Sequence, residues 1–151
     1  MVINKLQPLA DKKKVSIIDD FSNNLPDLTC DRTAIDQIIT NLVKNAIEAS
    51  PEKGLVYVRI NHDSTLNSFI IEVEDSGPGI PEENRMNVFS PFFTTKEDGT
   101  GLGLAIVKKL VSSMAGSVEI DNKIDGGCKF RITIVENRLP NKKPAISYQA
   151  T

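Results

Sequence analysis

The chain has 151 residues, enough for one domain of ordinary size with a single core. Hydrophobic residues make up 40% and charged residues 25%, so the composition excludes a disordered or fibrous chain. The formal net charge is −2 and the basic residues are spread out, which argues against a nucleic-acid-binding surface. Apolar runs are short and no basic, apolar leader is visible, so we expect neither a membrane span nor a secretory signal in this piece.

The cysteine and histidine content limits the available chemistry. Cys30 and Cys128 have neither a metal-site spacing nor a disulfide framework, so we expect two reduced core residues. His62 is the single histidine, which excludes a catalytic triad or a histidine-ligated metal site within this chain. It falls in a predicted polar hairpin, and we expect a solvated loop residue.

The first half of the chain is predicted to run from a helix through a strand to a long helix and a strand pair. Residues 1–14 carry apolar residues, then Pro8 and a lysine cluster, and we expect a helix tail that runs into a linker. Asp31 is a suitable N-cap for the long helix. The other predictions are a strand at Val15–Phe21, a turn at Leu25–Asp27, a helix at Arg32–Ala49 closed by Ser50 and Pro51, and strands at Leu55–Asn61 and Ser68–Glu74.

The second half is predicted to place two helices before a final hairpin. Its predicted elements are a loop at Asp75–Pro81, a helix at about Glu82–Phe89, an irregular segment at Pro91–Thr100, a helix at Leu102–Ala115, strands at Ser117–Asp121 and Cys128–Val135, and a polar tail from Asn137. Gly116 stands where a left-handed residue commonly ends a helix. Because hairpins dominate and the helices are grouped, the expected class is α+β, with helices on one face of a mainly antiparallel sheet.

The long helix carries two asparagines beside its apolar stripe. Asn45 falls at the edge of that stripe, and Asn41 lies one turn earlier on the same side. A buried amide without a partner costs about 1–3 kcal/mol. The pair therefore indicates either caps for neighbouring loops or ligands for a bound group, and by itself it does not distinguish them.

A first glycine-rich segment, Asp75–Ile80, directly follows a predicted strand. Its two glycines permit positive φ or a close approach by a ligand, and the carboxylate at the strand end can accept a hydrogen bond from an amino group. A simple turn explains the same residues. The spacing does not fit a dinucleotide-binding fingerprint.

A second glycine-rich segment, Gly99–Leu104, opens the apolar helix. Glycines at a helix N-terminus expose N–H groups beside the positive end of the helix dipole, which suits phosphate. The sequence lacks the Gly-Lys-Ser/Thr ending of a P-loop. Lys96, three residues earlier, is either a phosphate contact or a solvated lysine.

Taken together, these segments resemble the ATP-binding catalytic domain of sensor histidine kinases, in the superfamily that includes gyrase, chaperone and mismatch-repair ATPases. The resemblance covers about Val15–Val135, and residues 92–103 are most similar to the nitrogen-regulatory subgroup. It implies a two-layer α/β sandwich with a mixed sheet and with ATP bound in the helical layer. Four segments carry it in order: the asparagine box Asn41–Ser50, the first glycine box Asp75–Ile80, the phenylalanine box Phe89–Lys96 and the second glycine box Gly99–Leu104.

The resemblance implies a role for each position. Asn45, helped by Asn41, would ligate Mg²⁺, and Asp75 would accept the amino proton of adenine. Gly77 and Gly79 would let the backbone approach the base. The phosphates would be held by Lys96 and by the N–H groups of Gly101, Leu102 and Gly103, under a lid that includes Glu97 and Asp98 and is anchored by the phenylalanines. Asn41, Asn45 and Lys96 would be catalytic, and further nucleotide contacts would come from Lys44, Ile80, Phe93, Thr95, Gly99, Thr100, Leu104 and Cys128.

Two positions depart from the superfamily pattern. ATP-hydrolysing members carry a glutamate as base where this chain has Asn41, which cannot take up a proton, so hydrolysis is disfavoured. Transfer of a phosphoryl group to an imidazole depends mainly on positioning and charge neutralisation. Cys128 stands where the family usually has threonine, and a thiol is the weaker hydrogen-bonding partner for a water beside adenine.

The resemblance also implies partners. Residues 1–14 would be the end of a dimerisation helix and linker, residues 15–136 the ATP-binding domain, and residues 137–151 a tail. Since His62 lacks the proline of a phosphoacceptor motif, the acceptor histidine would lie on a separate dimerisation and phosphotransfer domain and would pass the phosphoryl group to an aspartate on a response-regulator receiver domain. An isolated domain would be a cytoplasmic monomer without nucleic-acid or membrane partners. An anti-sigma serine kinase and a non-enzymatic ATP-gated docking module remain alternatives.

Overall fold

Five strands form one mixed sheet in the computed structural model, which describes residues 2–26, 31–97 and 99–136. The strands are β1 (Ser16–Phe21), β2 (Leu55–Asp63), β3 (Ser68–Glu74), β4 (Ser117–Asn122) and β5 (Cys128–Val135). They lie in the order β1-β2-β3-β5-β4, and β1 pairs parallel to β2 while the other pairs are antiparallel. The α+β class with a mainly antiparallel mixed sheet is confirmed.

The two longest helices lie on one face of this sheet, and the short N-terminal helices pack beside the longest one. The helices are a 3₁₀-helix (Val2–Leu6), α1 (Gln7–Lys13), α2 (Arg32–Ala49), α3 (Glu82–Arg85) and α4 (Gly103–Ser113). The α2 bounds are the predicted ones, because the Asp31 carboxylate accepts hydrogen bonds from the Thr33 and Ala34 N–H groups at 2.9 and 3.4 Å. Within the described ranges, no helix combines the length and apolar character needed to cross a bilayer.

The core lies between α2 and the strands. Buried residues alternate along β2 at Val56, Val58 and Ile60, as expected for a strand with one covered face. The residues of α2 that are essentially inaccessible to solvent follow a helical period. They are Ile35, Ile38, Ile39, Leu42, Val43 and Ile47.

The N-terminal segment is helical almost throughout and joins this core. Pro8 lies in the first turn of α1, where its missing N–H costs no hydrogen bond. Lys12 and Lys13 belong to α1, and Lys14 ends it with a φ of 56°, so the residues expected in a linker lie in or directly cap a helix. Four apolar side chains of the segment are buried in the same cluster as α2. They are Val2, Ile3, Leu6 and Ala10.

Two predicted helix ends differ from the structure. The helix expected at Glu82–Phe89 stops at Arg85, because the chain turns and brings the Phe89 ring edge-on to Phe130, with centroids 6.3 Å apart. Gly116 is not the left-handed residue: that conformation falls on Ala115, with a φ of 53°. A glycine is required at 116 for another reason, since a Cβ there would lie 2.6 Å from the Thr133 carbonyl oxygen.

The prediction that His62 lies in a solvated loop is wrong. The strand β2 continues to Asp63, so His62 pairs with Phe69 across the ladder and is half-buried. Their rings lie 4.9 Å apart. The turn residue Asp27, Cys30, the lid residue Asp98 and the tail from residue 137 lie outside the described residues.

Opposite substitutions at two adjacent positions test the end of α4. We expect Gly116→Ala to lower the free energy of unfolding by about 1–3 kcal/mol, because the new methyl group overlaps the Thr133 carbonyl. Ala115→Gly relieves a left-handed alanine and should be neutral or stabilising by up to about 1 kcal/mol. Urea unfolding measures both, and a destabilised Ala115→Gly beside an unaffected Gly116→Ala would contradict this assignment.

Candidate nucleotide-binding site

A buried carboxylate stands at the end of β3. Asp75 is only 6% exposed, and its Oδ1 accepts hydrogen bonds from the N–H groups of Gly77 at 2.8 Å and Cys128 at 3.2 Å. Both bonds end on Oδ1, so Oδ2 receives none from the residues that the structure describes. Burial raises the pKa of Asp75 above its ordinary value, and the two backbone donors offset only part of that effect. The carboxylate is therefore oriented by Oδ1, and Oδ2 is left to accept a hydrogen bond from another group.

Glycines make this arrangement possible. A Cβ at Gly77 would lie 2.6 Å from the Ala49 carbonyl oxygen, at the end of α2. A Cβ at Gly127 would lie 2.1 Å from the Asp75 carbonyl oxygen, and Gly127 has a φ of +98°. The first glycine box is thus pressed against α2 on one side and against the β4–β5 hairpin on the other.

The asparagine box meets the second glycine box at the start of α4. Asn41 is half-buried, and its Nδ2 is buried without a hydrogen-bond partner among the described residues. A Cβ built on Gly103 would lie 3.7 Å from the Asn41 Oδ1. The structure therefore brings Asn41 to the N-terminus of α4 and leaves it with a buried donor that has no partner among the described residues.

Lys96 reaches α2 from the phenylalanine box. Its Nζ donates to the Asn45 Oδ1 at 2.9 Å and to the Glu48 Oε2, with which it forms an ion pair. Asn45 Oδ1, the oxygen expected to ligate a cation, thus already accepts a hydrogen bond from a positively charged ammonium group. Glu48 was missed by the sequence analysis, although its position three residues after Asn45 puts both on one side of the helix.

The phenylalanine box and the second glycine box are joined through the backbone. The Phe92 N–H donates to the Gly101 carbonyl at 2.8 Å, and both residues have positive φ, at 68° and 69°. Phe89 packs on β5, but the Phe92 side chain is 75% exposed. Phe89 therefore packs against the sheet, whereas Phe92 contributes its main chain, and the anchoring of a lid by these rings stays a prediction.

The remaining predicted contacts differ in burial. Half-buried positions are Ile80, Phe93, Gly99, Gly101, Gly103 and Leu104, while Lys44, Thr95, Glu97, Thr100 and Leu102 are exposed. Lys44 makes no hydrogen bond or ion pair with another described residue. The roles assigned to these side chains stay predictions.

Cys128 contributes its main chain to the site. The thiol is 2% exposed, and burial, together with the charge of Asp75, raises its pKa to about 12. The thiol is therefore protonated at neutral pH and behaves as a small core group. Its N–H, by contrast, fixes Asp75.

Comparison with known proteins identifies the family to which the chain belongs. The model of the histidine kinase-, DNA gyrase B- and HSP90-like ATPases matches residues 30–138. The chain belongs to this family. The match contains all four boxes, from Asn41 to Leu104.

Sensor kinases are among the curated relatives. The chain is 35% identical over 127 residues to the adaptive-response sensory kinase SasA of Gloeothece citriformis, covering 82% of this chain and 32% of SasA. It is 36% identical over 124 residues to the sensory histidine kinase/phosphatase NtrB of Azospirillum brasilense, covering 74% of this chain and 31% of NtrB. The chain thus spans about a third of the length of these relatives. The histidine-kinase resemblance is confirmed, and the nitrogen regulation protein NtrY of Azorhizobium caulinodans is one relative among several.

Solved structures agree in fold. The nucleotide-free catalytic domain of the histidine kinase ThkA is 34% identical, with a TM-score of 0.79, and the match covers 89% of this chain and 88% of that one. Full-length ShkA in complex with AMPPNP is 31% identical, also with a TM-score of 0.79, and covers 88% of this chain and 28% of that one. The chain is an ATP-binding domain of this family, homologous to sensor histidine kinases.

The buried charge of Asp75 should make the folded state sensitive to pH. The pKa of Asp75 in the folded state is raised above the ordinary value of 3.8, so the folded state binds this proton more tightly than the unfolded state. The resulting contribution of Asp75 to stability is fully present below pH 3.8 and is lost as the pH rises through the folded pKa. Asp75→Asn removes the charge and should be at least as stable as the wild type at pH 7, with the difference shrinking towards pH 3.8.

Urea unfolding at pH 7 and at about pH 4 measures this difference, because the lower pH is close to the ordinary pKa of a carboxyl group. Asp63→Asn is the matched control, since Asp63 also accepts two backbone N–H groups, from Thr65 and Leu66, but lies in the β2–β3 hairpin away from the site. The control should lose stability or stay unchanged. An Asp75→Asn variant less stable than the wild type at pH 7 would contradict the account.

Proposed function

We propose that this chain is the ATP-binding catalytic domain of a two-component sensor histidine kinase. It binds ATP with Mg²⁺ and transfers the γ-phosphoryl group to a histidine on a separate dimerisation and phosphotransfer domain, from which a response-regulator aspartate takes it. The observation that carries the proposal is the buried Asp75, with Oδ1 held by two backbone N–H groups and Oδ2 left to select a base.

Adenine recognition follows from that carboxylate. An acceptor in a buried position favours adenine, which presents an amino group, over guanine, which presents a carbonyl at the corresponding edge. Gly77 and Gly79 let the loop backbone pack against the Ala49 carbonyl and the Asn122 carboxamide, which would set its position beside the base. Discrimination arises because guanine would leave the buried carboxylate facing an acceptor, which costs more than a lost hydrogen bond.

The residues on α2 fit a magnesium ion. The described residues contain no group of three or more His, Cys, Asp or Glu side chains able to hold a metal by themselves. Magnesium is commonly bound through one or two protein oxygens together with substrate phosphates, and Asn45 Oδ1, already on the Lys96 ammonium, is such an oxygen. When bound, the ion would neutralise part of the negative charge of the phosphates.

The other residues position the triphosphate. Lys96 would move from Asn45 and Glu48 to the phosphates, and the N–H groups of Gly101, Leu102 and Gly103 would bind phosphate oxygens at the positive end of α4. Asn41 would donate its buried Nδ2. Because Asn41 cannot accept a proton from water, transfer to an imidazole is favoured over hydrolysis.

The rest of the assignment concerns the whole protein. The acceptor histidine, the receiver domain, the cytoplasmic location and the monomeric state of the isolated domain belong to the same proposal, as does the division into a dimerisation-helix end at residues 1–14 and a tail from residue 137. A serine kinase is the weaker alternative, because the relatives named above are sensor kinases.

Nucleotide titration tests the base-recognition part. Asp75→Asn should raise the Kd for a nonhydrolysable ATP analogue about 10- to 100-fold, since a hydrogen bond to a charged group contributes about 1.5–3 kcal/mol. The ratio of ATP to GTP affinity should also fall, because an amide can donate to the guanine carbonyl. Asp63→Asn should bind like the wild type, and equal affinities in all three proteins would remove Asp75 from the site.

Phosphotransfer tests the reaction. The chain, Mg²⁺, γ-labelled ATP and a purified histidine-bearing dimerisation domain should give an acid-labile, base-stable phosphohistidine. Asn45→Ala should lower the rate at least about tenfold and raise the Mg²⁺ concentration needed for half-maximal rate, because it removes an oxygen ligand. Asn61→Ala serves as the control, because Asn61 lies near the C-terminal end of β2 and has no assigned role in the site.

Each outcome of this assay has one reading. Acid-stable phosphoserine on a partner would support the serine kinase, and ATP binding without transfer at any enzyme concentration would support a docking module. An Asn45→Ala variant with an unchanged Mg²⁺ requirement would contradict the assignment of that residue.

A further inference from the structure

The first glycine box is attached to β4 by one side chain. The Ile80 N–H donates to the Asn122 Oδ1 at 3.0 Å, and the Asn122 Nδ2 donates to the Ile80 carbonyl at 2.8 Å. A carboxamide carries the same donor and acceptor as a peptide group, so this pair of bonds equals one rung of a β-ladder. Asn122 thus holds the peptide groups of Ile80 on both sides.

The approach of this carboxamide depends on Gly79. A Cβ at that position would lie 2.9 Å from the Asn122 Oδ1, and the residue has a φ of +82°. The box is therefore fixed at both ends, by Asp75 and Ala49 near Gly77 and by Asn122 at Ile80.

The same hairpin holds the carboxylate. Asn122 is the last residue of β4 and stands opposite Cys128 in the β4–β5 register, and the Cys128 N–H donates to Asp75. The Lys123 N–H closes the hairpin on the Gly127 carbonyl at 3.1 Å. One end of one hairpin therefore sets the positions of both the adenine acceptor and the loop beside it.

We propose that Asn122 is a positioning residue for nucleotide binding, which holds the backbone of Gly79 and Ile80 at the separation from Asp75 that a purine requires. The inference rests on the proposed function and deepens it. Ile80 packs against the core, so release of its peptide group would displace an apolar side chain together with the loop. The loop would then have to be ordered on binding, which lowers affinity.

The test compares variants of the full chain. Asn122→Ala loses both bonds, whereas Asn122→Asp keeps an acceptor for the Ile80 N–H but turns its second carboxylate oxygen towards the Ile80 carbonyl. We expect the Kd for AMPPNP with Mg²⁺, measured by calorimetry, to rise about three- to tenfold in the alanine variant and at least as much in the aspartate variant, because two acceptors then face each other. Amide exchange measured by NMR should show that Ile80 loses protection in the alanine variant and retains it in the aspartate variant.

The matched control is Asn61→Ala, near the C-terminal end of β2. It loses the hydrogen bond that the Ser22 hydroxyl donates to the Asn61 Oδ1 at 2.6 Å. It should lower stability without changing the Kd. The phosphotransfer rate of Asn122→Ala at saturating ATP should equal that of the wild type, because the chemistry of the phosphate end is unaltered.

The outcomes separate the two proposals. A wild-type chain that binds no AMPPNP would overturn the proposed function. A wild type that binds, with an alanine variant of equal Kd, would leave that function standing and overturn the role of Asn122. Equal rises in Kd for Asn122→Ala and Asn61→Ala would also overturn it, because the effect would then be a general loss of stability.

Discussion

The candidate site depends on the way one carboxylate is held. Asp75 lies where water is largely excluded, and burial by itself would favour its neutral form. Two backbone N–H groups on Oδ1 compensate part of this cost and fix the orientation of the other oxygen. They reach Asp75 because glycines at 77 and 127 allow two loops to approach more closely than any side chain would permit. The arrangement trades stability for a directed acceptor, as expected where a fold builds a recognition site.

The helix α2 connects this carboxylate to the start of α4, the proposed phosphate-binding end. One face of the helix supplies much of the core, while its edge carries Asn41, Asn45 and Glu48. Its C-terminal end touches Gly77, and its middle faces Gly103 at the start of α4. A rigid, capped helix thus sets the distance between the two glycine boxes, and Lys96 crosses to it from the phenylalanine box. In the proposed site, α2 thereby sets the separation between the part assigned to the base and the part assigned to the phosphates.

Much of the fold could be predicted from the sequence, because it is encoded by local patterns. Alternation in β2 and the cap at Asp31 depend on neighbouring residues, and the four boxes are continuous segments. Contacts between distant segments were not predictable in the same way. The pairing of Glu48 with Lys96 and that of Asn122 with Ile80 each join residues more than 40 positions apart. Likewise, a glycine is needed at position 116 because the Thr133 carbonyl on β5 lies close to it, and not because the helix ends there. His62 belongs to β2 because it pairs with Phe69 on β3.

A crystal structure of the full chain with AMPPNP and Mg²⁺ would show whether Asp75 holds the base. We expect the adenine amino group within hydrogen-bonding distance of Asp75 Oδ2, with the carboxylate still held through Oδ1. We also expect the phosphates at the start of α4 and the ion on Asn45. A nucleotide bound with its base away from Asp75, or a carboxylate released from the two backbone N–H groups, would contradict it.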